Sequence, residues 1–193
     1  MTVTRNLPAA RALDASDAMR WARLVIGSLG LKPGALVLGF GDPGDAHLQA
    51  LASLGMDVTV QPADTPYFES IADVRLTIGC RIEAATDGSY DGRFDAVVSV
   101  APSFGGMGAA GAQRLLTAMS NALRGGAKLF LDLPNPGGRA GSGEAACDRA
   151  TMVGMLREAA FVFEGAHGDA GGAGYHESTS PRLMLIGRKP DGC

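Results

Sequence analysis

From Ala35 onward the chain alternates short apolar runs with stretches of helical spacing, and the connections between successive runs are too long for hairpins. This alternation constrains the fold more than any other feature. Parallel neighbours need crossover connections, usually helices, which cover the faces of the sheet. The run over 35–38 is wholly apolar, as expected of a short strand buried on both faces. Residues 57–61, 74–79, 94–100 and 127–133 read as further strands, that over 94–100 again buried, and 161–164 and 182–187 as two more. Helices are predicted over 8–28, 45–54, 64–73, 112–123 and 144–159. No helix separates the last two strands, so one of them is expected to run antiparallel at or near a sheet edge.

Turn chemistry punctuates this pattern. Leu13, Ala18, Trp21, Ala22, Val25 and Leu29 recur at helical spacing, and Gly30 stops the first helix before a turn over 31–34. Asp45 is placed to cap the second helix and Gly55 to end it. Asp64 and Thr65 precede Pro66, which suits a first helical turn. Gly125 and Gly126 are expected to end the helix before the fifth strand. The prediction is an α/β, Rossmann-like, doubly wound and mostly parallel seven-stranded sheet. It forms one domain over 1–193, with an N-terminal helical segment over 1–30 and the core over 35–190.

Composition removes several classes. Hydrophobic residues make up 46% of the chain and charged residues 19%, so it can bury a core and is no disordered tail. Seventeen basic against twenty acidic residues give no electrostatic footprint for nucleic acid or an anionic membrane. The cysteines are Cys80, Cys147 and Cys193, widely spaced and odd in number, which suits free thiols rather than a disulfide or zinc scaffold. No apolar leader follows Arg5, and no apolar run approaches membrane-spanning length, so a cytoplasmic protein is expected. No two histidines share metal-ligand spacing, and no metal is expected. Glycine accounts for 28 of the 193 residues, roughly twice the usual share. Most of it falls over 34–44, 105–111, 137–143 and 165–174, largely in loops after strand C-termini, where open α/β sheets bind ligands.

The first of these loops reads Gly39-Phe40-Gly41-Asp42-Pro43-Gly44, a G-x-G-x-x-G match between a strand and a helix. Glycines there allow close backbone approach, and free N–H groups at the helix start can face an anionic or nucleotide ligand. The motif suits NAD, FAD and S-adenosylmethionine (SAM) alike, and also a tight turn without a ligand. The acid that usually holds ribose hydroxyls at the end of the second strand falls here on Gln61 or Pro62. Asp64, two residues on, reads better as a helix cap.

The order of segments resembles the class I SAM-dependent methyltransferases, particularly small bacterial ones. Residues 29–38 (LGLKPGALVL) are similar to that family's lead-in to the first strand, and 94–99 (FDAVVS) to its fourth strand. Residues 122–128 (ALRGGAK) resemble its turn into the fifth strand, 155–161 (MLREAAF) its "L-r-e-A-G-F" entry to the sixth, and 182–190 its closing strand. The resemblance implies SAM as cofactor and a small molecule as methyl acceptor. Carried over by position, it places Gly39, Gly41, Asp42, Gly44, Gln61, Ser99, Ala101 and Pro102 against the cofactor, and Ser103, Phe104 and Asn135 against the acceptor. The sequence departs from the family's acidic anchors. Gly39 stands where the first motif carries an acid, Pro43 where it carries its second glycine, and Cys80 or Arg81 near the acid that flanks adenine. These departures keep a non-catalytic methyltransferase-like binding partner or scaffold as the second reading, and an NAD- or FAD-binding oxidoreductase as the third.

Among catalytic candidates, Asp132 near the end of the fifth strand could serve as a base for an acceptor that must lose a proton. His47 is expected to be exposed or packed on its helix. His167, Tyr175 and His176 are expected in a solvated connection, and Arg11, Arg20 and Arg23 on the solvated face of the first helix. The partners expected are a small-molecule acceptor and a protein partner or second copy, with no nucleic acid and no membrane.

Overall fold

The computed structural model describes residues 15–41, 44–61, 92–100, 108–135 and 148–192. Ten elements run in the order α1 (Ala15–Leu29), β1 (Leu36–Phe40), α2 (Ala46–Ser53), β2 (Asp57–Gln61), β3 (Phe94–Val100), α3 (Gly108–Ala122), β4 (Leu123–Pro134), α4 (Arg149–Glu158), β5 (Val162–His167) and β6 (Arg182–Arg188). The strands form one six-stranded sheet in the order β2-β1-β3-β4-β6-β5. The first four are mutually parallel, and β6 is antiparallel to both neighbours. The antiparallel strand therefore lies one place in from the edge, as the missing helix between the last two strands requires. The expected strand over 74–79 and helix over 64–73 lie outside the described residues, as does the start of the first helix.

Two apolar layers enclose the sheet. Leu38, Phe40, Val97, Leu129 and Leu131 face α3 and α4 through Leu116, Met119, Met152 and Leu156. Val37, Val58, Val98, Phe130 and Met184 face α1 and α2 through Trp21, Ala22, Val25, Leu48 and Leu51. Strand side chains alternate between the layers because the pleat has period two. The α1 residues Ala18, Trp21, Ala22, Val25 and Leu29 are buried, while Arg20 and Arg23 are exposed, as expected.

Three helices end in the same way. Leu31 N–H donates to Ile26 O, Met56 to Leu51 and Phe161 to Leu156, the six-to-one bond of a Schellman ending. That ending needs a left-handed residue, supplied by Gly30 at φ +69°, Gly55 at +90° and Ala160 at +63°. Ala160 is the one non-glycine residue with positive φ among those described.

Several boundaries differ from expectation. α4 begins at Arg149 rather than 144, because Asp148 caps it by accepting from Thr151 N–H. β1 runs through Gly39 and Phe40, which were expected to turn, because both pair with β2 and β3. α3 begins at Gly108 rather than 112, since Ala109 and Ala110 propagate a helix well. Gly125 and Gly126 fall inside β4, which starts at Leu123 opposite Phe94 and then shifts register before Lys128 meets Ala96. β5 continues to His167, because Ala166 and His167 pair with Leu185 and Met184.

Candidate functional site

The carboxyl ends of β1, β2, β3 and β4 make one edge of the sheet, the edge at which open α/β folds hold ligands. Register aligns Gln61, Phe40, Ser99 and Leu131 in one row across it. Phe40 and Leu131 belong to the layer facing α3 and α4, so Gln61 and Ser99 share that face on either side of Phe40. Both are buried, and Gln61 Oε1 and Ser99 Oγ have no hydrogen-bond partner among the described residues. Two strand spacings put them about 10 Å apart. A buried polar atom left unpaired costs about 1–3 kcal/mol, so each of these two groups gains from any hydrogen-bond partner brought to it.

The glycine motif divides its work. A Cβ on Gly39 would come within 2.7 Å of Leu48 Cδ2, whereas one on Gly41 would sit 3.5 Å from Leu48 Cδ1, an ordinary contact. Gly39, expected against the cofactor, is thus small because α2 packs on β1 there. Gly41 is buried and its N–H donates to Gln61 O at 3.1 Å, extending the β1–β2 ladder. Gly44 is exposed just before the α2 cap. Asp45 caps as expected, accepting from His47 N–H at 2.7 Å, and the same Oδ1 lies 2.9 Å from His47 Nδ1. Burial pulls the Asp45 carboxyl upward, but the His47 bonds outweigh it and hold it below the usual aspartate range.

The opposite face carries a buried polar cluster. Asp132 is 1% exposed. Its Oδ2 accepts from Trp21 Nε1 at 2.9 Å and its Oδ1 from Arg182 Nε. Trp21 in turn meets His47 edge-on, with ring centroids 4.8 Å apart, and Phe130 at 5.8 Å. Burial raises the Asp132 carboxyl above the ordinary range; Arg182, His47 and Trp21 oppose this without cancelling it. Both oxygens are engaged and closed to water, which does not fit a base that must reach a substrate proton. His47, expected exposed or packed, is packed and also hydrogen-bonded. Trp21 and Arg182 were not among the sequence candidates, although a lone tryptophan on an apolar helix face signals an indole N–H that must find a buried acceptor.

Asn135 is 2% exposed just beyond β4. Its Nδ2 donates to Glu177 O at 2.9 Å and Ser180 O at 2.7 Å, and its Oδ1 accepts from Tyr175 at 3.0 Å. Both amide protons are spent on the β5–β6 connection, so Asn135 staples that connection to the sheet end rather than offering donors to an acceptor molecule. His167 ends β5 instead of lying in a solvated loop, with Nε2 3.3 Å from Ser28 Oγ and Nδ1 3.2 Å from Gly172 O. Tyr175 is half-buried, while His176 is exposed as expected.

Asp42, Ala101, Pro102, Ser103 and Phe104 lie outside the described residues. No group of potential metal ligands occurs among the described residues, and no described helix is long and apolar enough to cross a membrane. A cleft of about 530 Å³ lined by Leu31, Lys32, Asp95, Arg124 and Lys128 opens at the amino ends of β1, β3 and β4. It is at the wrong edge for a nucleotide, and its Asp95 is already paired with Arg124 at 2.6 Å and with Leu36 N–H at 2.9 Å.

No family profile and no curated protein matches this sequence. Solved structures do. The CcbJ methyltransferase from Streptomyces caelestis matches with a TM-score of 0.65 at 14% identity, covering 93% of this chain and 94% of its own. A TehB-like SAM-dependent methyltransferase from Corynebacterium glutamicum gives 0.64 at 15% identity, covering 88% and 87%. The glycopeptide N-methyltransferase MtfA, solved with SAM, gives 0.62 at 15% identity, covering 97% and 100%. The chain has the Rossmann-like fold of the class I SAM-dependent methyltransferases.

Proposed function

We propose that this protein is a SAM-dependent methyltransferase acting on a small-molecule acceptor. The observation that carries the reading is the pair of buried, unpartnered groups, Gln61 Oε1 and Ser99 Oγ, flanking Phe40 at the ligand-binding edge of a methyltransferase fold. Gln61 occupies the position at which such folds hold ribose. Its neutral amide oxygen can accept from a ribose hydroxyl, and Ser99 can donate or accept at the neighbouring strand end. SAM supplies an electrophilic methyl group, and the protein's task is to align the acceptor and exclude water. Asp42, Gly44, Ala101 and Pro102 complete the proposed cofactor side, and Ser103 and Phe104 the acceptor side. Asp132 and Asn135 hold the sheet end in shape, as a positioning carboxylate and a staple.

The second reading, a non-catalytic partner or scaffold of the same fold, is favoured by the glycine motif. Gly41 has spent its N–H within the sheet and Gly39 its smallness on Leu48, which leaves the motif fewer donors for a ligand. Thermal unfolding with SAM, its demethylated product, NADH and FAD separates the readings. A ligand at 100 times its Kd adds about 2.7 kcal/mol. A rise with SAM and its product alone supports methyl transfer. No response to any of the four supports the scaffold, and a rise with NADH or FAD supports an oxidoreductase. A Gly41→Asp variant that still folds should lose the SAM response if this loop holds the cofactor; an undiminished response would place the cofactor elsewhere.

A further inference from the structure

Arg182 opens β6 opposite Pro134, at the same sheet edge as Gln61 and Ser99 but on the α1 face. Its guanidinium is a planar fork with two parallel donors able to engage both oxygens of one carboxylate. Here the fork is only half used. Nε donates to Asp132 Oδ1, yet Oδ2 is drawn away by the Trp21 indole at 2.9 Å, and Nη2 is left buried with no partner among the described residues. The side chain as a whole is 32% exposed although Nη2 itself is covered, so a ligand oxygen reaches Nη2 by displacing what covers it. Asp132 already balances the guanidinium charge. A second anion would meet the Asp132 carboxylate a few ångströms away, and a cation would meet Arg182 itself. A neutral oxygen with a free lone pair meets neither penalty.

From this geometry we infer that Arg182 Nη2 is a subsite for a carbonyl-type oxygen of an uncharged ligand. The name of that ligand, the methyl acceptor, rests on the proposed methyl transfer; the subsite itself does not. Trp21 acts as a positioning residue, holding Asp132 to a single bond with Arg182 so that the second donor stays free.

The chain contains one tryptophan, so excitation at the red edge of the indole band reads Trp21 alone, one hydrogen bond from Arg182 through Asp132. Benzamide, benzoate and benzylamine share a ring and differ in the group offered. The expected result is a saturable change in Trp21 emission with benzamide, at least tenfold weaker with benzoate and absent with benzylamine. Arg182→Lys keeps a cation beside Asp132 but removes the fork, and should weaken the benzamide response tenfold or more while far-UV circular dichroism is retained. If that variant does not fold, the ranking of the three probes on the unaltered protein decides. No benzamide response, an equal or stronger response to benzoate or benzylamine, or an undiminished response in a folded Arg182→Lys protein would overturn the subsite. A benzamide response without a SAM-induced thermal shift would keep the subsite and remove methyl transfer. A SAM shift without a benzamide response would do the reverse.

Discussion

Trp21 on the first helix and Asp132 near the end of β4 are joined by a buried hydrogen bond of 2.9 Å, which ties α1 to the carboxyl edge of the sheet. Phenylalanine at position 21 would preserve most of the packing and leave Asp132 Oδ2 without its donor. Trp21→Phe should therefore cost about 1–3 kcal/mol. Urea denaturation followed by far-UV circular dichroism measures this without relying on the lost fluorophore. A midpoint equal to that of the unaltered protein would show that the bond contributes nothing net.

Two aspartates should shape the pH dependence of stability in opposite directions. Asp45 is held below the usual range, so its contribution is present above about pH 4, the unfolded value, and is lost as pH falls through the folded one. Asp132 is raised, so its contribution is full below about pH 4 and is lost as pH rises through its folded value. Asp45→Asn should flatten the acid side of the stability profile, and Asp132→Asn the stretch above it. Urea midpoints collected from pH 3 to pH 8 test both; difference curves without slope in these windows would refute the assignments.

Ala160 holds the left-handed position that Gly30 and Gly55 hold in the other two Schellman endings. A left-handed conformation costs a residue bearing a Cβ about 1–2 kcal/mol. After the entropy cost of glycine, Ala160→Gly should stabilise by about 0.5–1 kcal/mol. A lower Tm in calorimetry would contradict this.

Gly39 and Gly41 should respond differently to alanine. Gly39→Ala forces its Cβ against Leu48, a contact of 2.7 Å before relaxation, and overpacking of this kind costs about 1–3 kcal/mol. Gly41→Ala meets only an ordinary contact and should change stability by less than about 0.5 kcal/mol. Trimming Leu48 to valine should recover part of the Gly39→Ala loss in a double-mutant cycle. Additive losses would place the clash elsewhere.

The sheet was legible because its central strands are apolar on both faces, and no helix pattern competes over 57–61 or 94–100. Asp45 was legible because a cap acts on its own first turn. The Asp132 cluster was not, since its members come from α1, α2, β4 and β6 and meet only after folding. Gly39 misled for a related reason: a ligand turn and a close helix–strand contact both select glycine, and only the position of Leu48 separates them. Asn135 read as a free amide because its partners are backbone carbonyls of Glu177 and Ser180, which sequence cannot address.

The strand order carries a kinetic consequence. β3, α3 and β4 are consecutive in the chain and adjacent in space, and β5 and β6 form a neighbouring pair, whereas β1 must find β3 far along the chain. Non-local pairings form only after the loop-closure entropy has been met, so local units are favoured to assemble first. The C-terminal half is then expected to become ordered before β1, β2 and α1 dock, and burial of Trp21 marks the final step. In stopped-flow refolding, tryptophan emission should lag behind the recovery of the amide circular dichroism signal; coincident traces would mean that both halves assemble together.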